Sequence, residues 1–455
     1  MILPQKDEEK LAGVSKMRKE RWSNRNFILG LANGALYQFG LAFFSPRVIL
    51  PVYIATLAGM AGWGGAANSL AGLIAVIFQL GWFLPQLFVA DMVQRRRYKL
   101  PIYRRAAILR VSSAICLIIT LALFKARYPR MLIVVTILAL GLYGVFGGIS
   151  GSAFMDIVGK IIPSNRRGRF FGIRMLLGGI LALTAGQFVR FIQGLGLPFP
   201  DDYLILFSVG TVVLSSGLIC FSLVKEPPGV KSEGSGGIWR HLRRAPRILK
   251  TDRNYRRFML VRFGNSVTGM SVPFFTLYAI KVLQAPPEMK GTFISILALS
   301  GIISNPVWSY VGDRFGRKPL LSFGVGILSM GPLLAIISRF IPPDLSWTPL
   351  SALKLITASD NPAHNFFCLP FILVGVGGMG YYIANLSYLL DISPESERPT
   401  YVGLMNTATA PMMLIPMLGG YLIDMTSFET AFALSTIAGL ITLILALGLE
   451  KQRSL

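Results

Sequence analysis

Long apolar runs constrain the fold of this chain more than any other feature of its sequence. Each run is about long enough to cross a bilayer as a helix of about 20 residues. Since 53% of the residues are hydrophobic and only 15% are charged, with a mean hydropathy of +0.58, the composition excludes a soluble globular protein. The sequence predicts an all-α polytopic membrane protein with twelve spans, at 27–53, 66–90, 101–124, 131–157, 169–192, 203–224, 258–281, 291–311, 319–340, 365–390, 401–424 and 430–449.

The net charge of +24 follows the predicted topology and does not indicate a nucleic-acid partner. If the N-terminus is cytoplasmic, 33 of the 45 Lys and Arg residues fall in segments on that side and only 8 in or beside the opposite loops. Such an excess is typical of cytoplasmic segments, and attraction to anionic lipids accounts for it. We expect a multi-pass plasma membrane protein of the bacterial inner-membrane kind, with both termini cytoplasmic and no cleavable signal.

Cysteine and histidine usage predicts neither a disulfide framework nor a metal site. Cys116, Cys220 and Cys368 lie far apart in separate apolar spans, and His241 and His364 have no second ligand near them in sequence. A phosphate-binding glycine motif and a nucleophile, base and acid at a shared depth are also missing from the sequence. We therefore expect no cofactor and no enzymatic activity.

The sequence contains an internal duplication. Matching positions lie 222 residues apart early in each half and 231 apart later, as in Pro51 with Pro273, Asp91 with Asp313, Gly147 with Gly378 and Arg167 with Arg398. The chain then divides into a cytoplasmic tail at 1–26, a six-helix half at 27–225, a cytoplasmic linker at 226–257 with a basic amphipathic stretch at 238–250, and a second six-helix half at 258–455.

A basic turn at 311–319 joins the eighth and ninth predicted spans. It contains Asp313, Arg314, Gly316, Arg317 and Lys318. This pattern resembles the Asp-Arg-x-Gly-Arg-Lys loop motif of the major facilitator superfamily. The first half carries a degenerate copy of this motif with Asp91 and Arg95. Leu87 and Gln94 stand at the two positions where the motif has glycine.

The resemblance implies two pseudo-symmetric halves that hold a small-molecule substrate between them near the membrane midplane. It also implies a secondary transporter that works by alternating access, with both loop motifs in the gate. Asp156 with Arg167, and Asp391 with Arg398, are predicted to form matched latch pairs on the cytoplasmic rim. The alternative is a non-transporting member of the same fold that serves as an assembly factor or a subunit of a membrane complex.

Polar residues at helical spacing in the first, fourth, seventh and tenth spans are the substrate-binding candidates, because the resemblance places these spans around the cavity. They are Asn33, Tyr37, Arg47, Tyr143, Ser150, Ser266, Tyr381 and Asn385. Hydrogen bonding between helices is the alternative role for each of them.

Arg47 is the most informative of these candidates. It either reaches out to the membrane interface or binds an anionic substrate in the cavity. Arg110 and Arg174 are predicted to pair with Asp91 or Asp156. Carboxylates are missing from the mid-depth of every predicted span, which favours a latch over the alternative of a proton relay for Asp156 and Asp391 at the inner ends of their spans.

Overall fold

The computed structural model describes residues 5–94, 96–229, 248–342, 345, 357, 359–394 and 398–450. The regular structure within these ranges is helical. The helices of the first half are α1 Gln5–Phe43, α2 Ile49–Met60, α3 Ala67–Gln94, α4 Leu100–Phe124, α5 Pro129–Ile161, α6 Ser164–Gly194 and α7 Asp201–Ser222. Those of the second half are α8 Arg253–Thr268, α9 Phe275–Lys281, α10 Met289–Phe315, α11 Arg317–Ile337, α12 Pro362–Phe366, α13 Cys368–Ile392, α14 Arg398–Thr409, α15 Ile415–Met425 and α16 Phe428–Leu447.

Ten of the described helical segments are long and apolar enough to cross a membrane, and α2 is a shorter apolar helix. This confirms the prediction of an all-α polytopic membrane protein. The first and seventh predicted spans are missing from the ten, and both are interrupted. The first breaks at residues 44–48 between α1 and α2, and the seventh passes through the 3-10 turn Gly269–Phe274 between α8 and α9.

Proline chemistry explains both interruptions. Pro46 disfavours helical geometry at Ser45 and offers no backbone N–H, so α1 ends at Phe43. Pro273 lies inside the 3-10 turn of the seventh span. The two breaks fall at nearly the same place in the internal repeat, whose offset here is 222 residues. Interrupted spans at corresponding positions of two repeats point to a binding site between them.

The ends of the two halves lie on one side of the helix bundle. Asn26 Nδ2 donates to the carbonyl of Lys225 at 2.9 Å, and Arg257 Nη1 donates to the carbonyl of Gly448 at 2.9 Å. We call this the linker side and the opposite one the far side. The assignment of the linker side to the cytoplasm stays a prediction.

The two halves share their apolar packing on the far side but not on the linker side. The largest cluster of buried apolar side chains combines both halves, with Phe43 and Phe207 from the first and Phe293 and Phe371 from the second. Each half has its own cluster nearer the linker side, around Tyr103 and Phe221 in the first half and around Tyr255, Phe258 and Tyr388 in the second. The described parts of the two halves are therefore joined at one end of the bundle.

Glu226 fastens the end of the first half to the start of α4. Its side chain is 1% exposed and accepts hydrogen bonds from the backbone N–H groups of Lys99 and Leu100, at 2.9 and 2.7 Å. Lys160 Nζ lies 2.8 Å from the same carboxylate. A carboxylate at a helix N-terminus satisfies free N–H groups and complements the helix dipole. Glu226, which the sequence had assigned to the linker, thus packs within the first half.

Replacing Glu226 with alanine should destabilise the protein by about 3 kcal/mol, because it removes one partner of a buried ion pair together with a helix cap. The melting temperature of the purified protein measures the loss. Glu429→Gln is the matched control, since it weakens an exposed ion pair with Arg339, whose charged atoms lie 2.7 Å apart, and such pairs contribute at most about 1 kcal/mol. Equal effects of the two substitutions would contradict the anchoring role of Glu226.

Candidate functional site

A cavity of 660 Å³ lies between the two halves. The first half contributes Gln38 from α1, Gln79 from α3 and residues 172–182 of α6. The second half contributes residues 294–306 of α10 and Met379 of α13. The break in the first span also reaches this cavity, through Ser45, Pro46 and Arg47. Its volume is in the range of small-molecule binding sites.

Arg47 is the one charged residue among the described residues that line the cavity. It lies in the turn between α1 and α2, where the interrupted helix exposes its side chain. No hydrogen bond or ion pair joins Arg47 to another described residue. Its polar neighbours on the cavity wall are Gln38, Gln79 and Asn305, which are neutral. An anion entering this cavity would therefore meet a guanidinium that no described carboxylate neutralises.

Arg110 of α4 occupies a closed site inside the first half. It is 2% exposed, and its guanidinium carbon lies 4.3 Å from the ring centroid of Tyr143 and 5.6 Å from those of Tyr37 and Trp82. Nη1 donates to Ser150 Oγ at 3.3 Å, whereas Nε and Nη2 have no partner among the described residues. Aromatic faces stabilise this cation. The predicted pairing of Arg110 with Asp91 or Asp156 is wrong for Asp156, and the Asp91 side chain lies outside the described residues.

Arg174 and Arg262 also lie inside the bundle without a carboxylate partner among the described residues. Arg174 places its guanidinium carbon 4.5 Å from the ring centroid of Phe154, and its side chain packs against Gly34 of α1, where a Cβ would collide with it. Arg262 Nε has no hydrogen-bond partner in the described structure. Together with Arg47 and Arg110, these side chains give the described interior an excess of positive charge.

The eight predicted binding residues do not form one site. Of these eight residues, only Arg47 lines the central cavity. Tyr37, Tyr143 and Ser150 surround Arg110 instead, as described above. Asn33 Nδ2 donates to the carbonyl of Gly217 at 2.8 Å, which is the alternative structural role.

The second-half candidates also lie away from the cavity wall. Ser266 Oγ donates to the carbonyl of Arg262 at 3.1 Å, and the backbone of Tyr381 packs against Gly324. Asn385 Oδ1 is buried without a partner among the described residues. Their roles in binding stay predictions. Sequence reasoning missed Gln38, Gln79 and Asn305, although each is a polar residue inside an apolar span.

The loop motif of the second half lies exposed on the linker side. Asp313 is 77% exposed and pairs with Arg317 at 3.7 Å, while Arg314 bonds the hydroxyl of Tyr310. Gly316 has φ +88° at the junction of α10 and α11, a conformation that favours glycine. Lys318 lies in the first turn of α11. The contacts described for these residues stay within the second half, and a role in gating stays a prediction.

Asp156 and Arg167, the latch pair predicted for the first half, bond to other partners. Asp156 lies 2.7 Å from Lys160 Nζ and 3.6 Å from Lys99 Nζ, whereas Arg167 donates to the carbonyls of Ile162 and Gly159. The predicted pair of Asp156 and Arg167 is therefore wrong. The i,i+4 spacing of Asp156 and Lys160 on α5 was the signal in the sequence for the observed pair.

The other predicted gating residues are Asp391, Arg398, Asp91 and Arg95. Asp391 is exposed at the end of α13. Arg95, and the side chains of Asp91 and Arg398, lie outside the described residues.

Asp424 joins the two halves on the far side. This residue of α15 places its carboxylate at the N-terminus of α3, where Oδ1 accepts from the backbone N–H and Nδ2 of Asn68 at 3.1 and 2.9 Å. Oδ2 accepts from the backbone N–H and Oγ of Ser69 at 2.8 and 2.6 Å. Gly420, one turn earlier, packs so tightly against Asn68 that a Cβ would collide with its carbonyl. The carboxylate thus caps a helix of the opposite half.

A second crossing, between α6 and α10, closes the far side further. Gln187 Nε2 donates to Ser295 Oγ at 2.9 Å, and Ser295 Oγ donates to the carbonyl of Leu183 at 3.2 Å. Gly186 and Gly291 face each other there so closely that a Cβ on either would collide with the other's carbonyl. These hydrogen bonds and backbone contacts hold the halves together on the far side of the cavity.

A sequence profile described as Major Facilitator Superfamily matches residues 3–186, 202–358 and 258–454. The chain belongs to the Major Facilitator Superfamily. The predicted resemblance is thereby confirmed, and with it the twelve-span fold class of two six-helix halves. This is a family of membrane transporters that act on small molecules and not of enzymes.

Curated relatives of this superfamily member match over part of their length. The multi-drug resistance efflux pump PmrA of Streptococcus pneumoniae is 24% identical over 183 residues, which is 38% of this chain and 39% of the pump. The magnetosome protein MamH of Paramagnetospirillum magneticum is 22% identical over 222 residues, which is 48% of this chain and 46% of that protein. The alignments thus cover less than half of either relative.

Solved structures support the Major Facilitator Superfamily fold over nearly the whole chain. The nucleoside transporter NupG superposes with a TM-score of 0.67 at 13% identity, covering 93% of this chain and all of NupG. A D-xylose-proton symporter superposes with a TM-score of 0.62 at 15% identity, covering 92% of this chain and 96% of the symporter. At this identity the likeness concerns the fold and not the substrate.

Proposed function

We propose that this protein is a secondary transporter that carries a small anionic solute across the membrane by alternating access between its two halves. The observation that carries the proposal is Arg47, whose guanidinium lies on the wall of the central cavity without a partner among the described residues. A charged side chain within a membrane protein is costly unless it has a partner or a function. The planar fork of a guanidinium suits a carboxylate or a phosphate group.

The other features of the cavity fit a small polar ligand. Gln38, Gln79 and Asn305 offer neutral donors and acceptors, and the remaining described lining is apolar or glycine. This combination of a mostly apolar wall with a few polar groups is common in small-molecule sites. Both halves contribute residues to the wall of this one cavity, which fits a substrate held between two moving halves.

The packing supports an alternating cycle in which this conformation opens toward the linker side. The halves share hydrogen bonds and one apolar cluster on the far side, while their linker-side clusters are separate. Access from the far side would require the Asp424 cap and the α6 and α10 crossing to separate. With the predicted topology, the cavity described here would face the cytoplasm.

Ligand binding to the purified protein tests the proposal. Melting temperatures are measured with panels of anionic, cationic, neutral and lipid-like compounds, because a ligand of the folded state stabilises it by about 2.7 kcal/mol at a hundredfold excess over its dissociation constant. We expect stabilisation by an anionic compound, and counterflow of the same compound in proteoliposomes. Stabilisation by cations alone would overturn the anionic assignment.

Transport itself is tested separately from binding. An anion that binds but shows no counterflow in sealed proteoliposomes would contradict alternating access. A lipid-like ligand alone, without flux of any solute, would favour the alternative of a non-transporting subunit of a membrane complex.

A further inference from the structure

A second recess, separate from the central cavity, lies on the linker side between α4 and α5. Its volume is 880 Å³. Arg96 and Arg97 before α4, and Arg105 in its second turn, form one end of the recess, and all three are exposed. None of their side chains has a hydrogen bond or ion pair with another described residue. We call this recess the arginine groove.

The rest of the arginine groove is apolar and runs into the membrane. Ile102 and Leu109 on α4 face Phe146 and Ile149 on α5. At 1.5 Å per residue, Leu109 lies about 14 Å along α4 from its start and Ile149 about 18 Å along α5 from its end. Leu138 and Leu142 continue the same face of α5, at 58% and 48% exposed, as expected for a surface that contacts lipid. The groove thus joins a cationic end at the membrane edge to an apolar path toward the bilayer interior.

We propose that the arginine groove binds one anionic phospholipid, with its phosphate at Arg96, Arg97 and Arg105 and an acyl chain along Leu109, Phe146 and Ile149. Charge complementarity argues for this occupant, because the described lining includes three guanidinium groups and no carboxylate. Arginine forks bind phosphate oxygens in a bidentate manner. A soluble anion would satisfy the guanidinium groups but would leave the apolar path unused, so the groove is matched to a lipid.

Lipid retention by the purified protein tests this site. The protein is taken from vesicles of equal phosphatidylglycerol and phosphatidylcholine, and retained lipids are counted by native mass spectrometry. We expect a preference for phosphatidylglycerol that falls about tenfold in the triple variant Arg96→Gln, Arg97→Gln, Arg105→Gln. Three basic residues that each contribute about 1 kcal/mol would together give a preference of roughly 150-fold. We expect a smaller reduction because these side chains are exposed.

A second triple variant removes the same number of positive charges elsewhere on the linker side. It distinguishes specific lipid binding in the arginine groove from general electrostatic attraction of anionic lipid. Lys250→Gln, Arg253→Gln, Arg256→Gln removes three exposed charges on the linker side of the second half and should leave the preference unchanged. Equal losses in the two triple variants would overturn the proposal. Displacement of the lipid by millimolar inorganic phosphate would also overturn it, because it would identify the groove as a site for a soluble anion.

Discussion

Replacing Arg47 with glutamine should weaken binding of the anionic ligand by about 10- to 150-fold. This range corresponds to the loss of one hydrogen-bonded charge interaction of about 1.5–3 kcal/mol. The side chain lines the cavity and has no partner among the described residues, so the substitution leaves no broken ion pair to destabilise the fold. The shift of melting temperature against ligand concentration measures the affinity of each variant.

Two further variants test whether the charge or the planar shape of the Arg47 guanidinium accounts for the loss of ligand affinity. Arg47→Lys keeps the charge but loses the planar fork, so we expect an affinity between those of the wild type and Arg47→Gln. Arg127→Gln removes an exposed charge at the far-side end of α4 and should leave the affinity unchanged. Similar effects of Arg47→Gln and Arg127→Gln would assign Arg47 to the membrane interface and not to the substrate.

Replacing Asp424 with asparagine should shift the conformational equilibrium toward a state that is open on the far side. An amide would present a donor where Oδ2 now accepts from the backbone N–H and Oγ of Ser69. Loss of charge-assisted hydrogen bonds of about 1.5–3 kcal/mol would change the ratio of the two states by about 10- to 150-fold. The helix α3 would also lose the negative charge that complements its dipole.

Spin labels on the far side can measure this shift. Leu195→Cys and Phe340→Cys place labels on exposed positions of the two halves, in a background without the three native cysteines. We expect Asp424→Asn to populate a longer distance between the labels. Asp201→Asn is the control, because its ion pair with Lys125, 3.0 Å long, lies on the far side but within the first half. An unchanged distance distribution in Asp424→Asn would show that this carboxylate does not hold the far side closed.

Sequence reasoning succeeded where one physical constraint dominates. In a bilayer the backbone must satisfy its hydrogen bonds internally, so each long apolar run becomes a membrane-spanning helix. Counting these runs therefore gives the number of spans. The duplication and the loop around Asp313 then indicated the superfamily. The same reasoning recognised Arg47, because a charge inside an apolar run is unusual enough to stand out.

Side-chain partners were harder to predict, because helical spacing gives the face of a helix but not the neighbour that this face meets. Tyr143 and Ser150 share a stripe on α5, yet the stripe faces Arg110 of α4 and not the opposite half. Asp156 pairs with Lys160 on its own helix, and Glu226 reaches the start of α4 across more than a hundred residues. These contacts depend on how the helices rotate and pack, which the sequence pattern leaves open.

The position of Glu226 also bears on the mechanics of the connection between the halves. That carboxylate bonds the backbone at the start of α4 and the ammonium group of Lys160, so the chain as far as Glu226 belongs mechanically to the first half. A rotation of the second half against the first would therefore leave Glu226 and its partners in place. The same contacts brace the linker-side ends of α4 and α5 against each other, which favours movement of the first half as a rigid body.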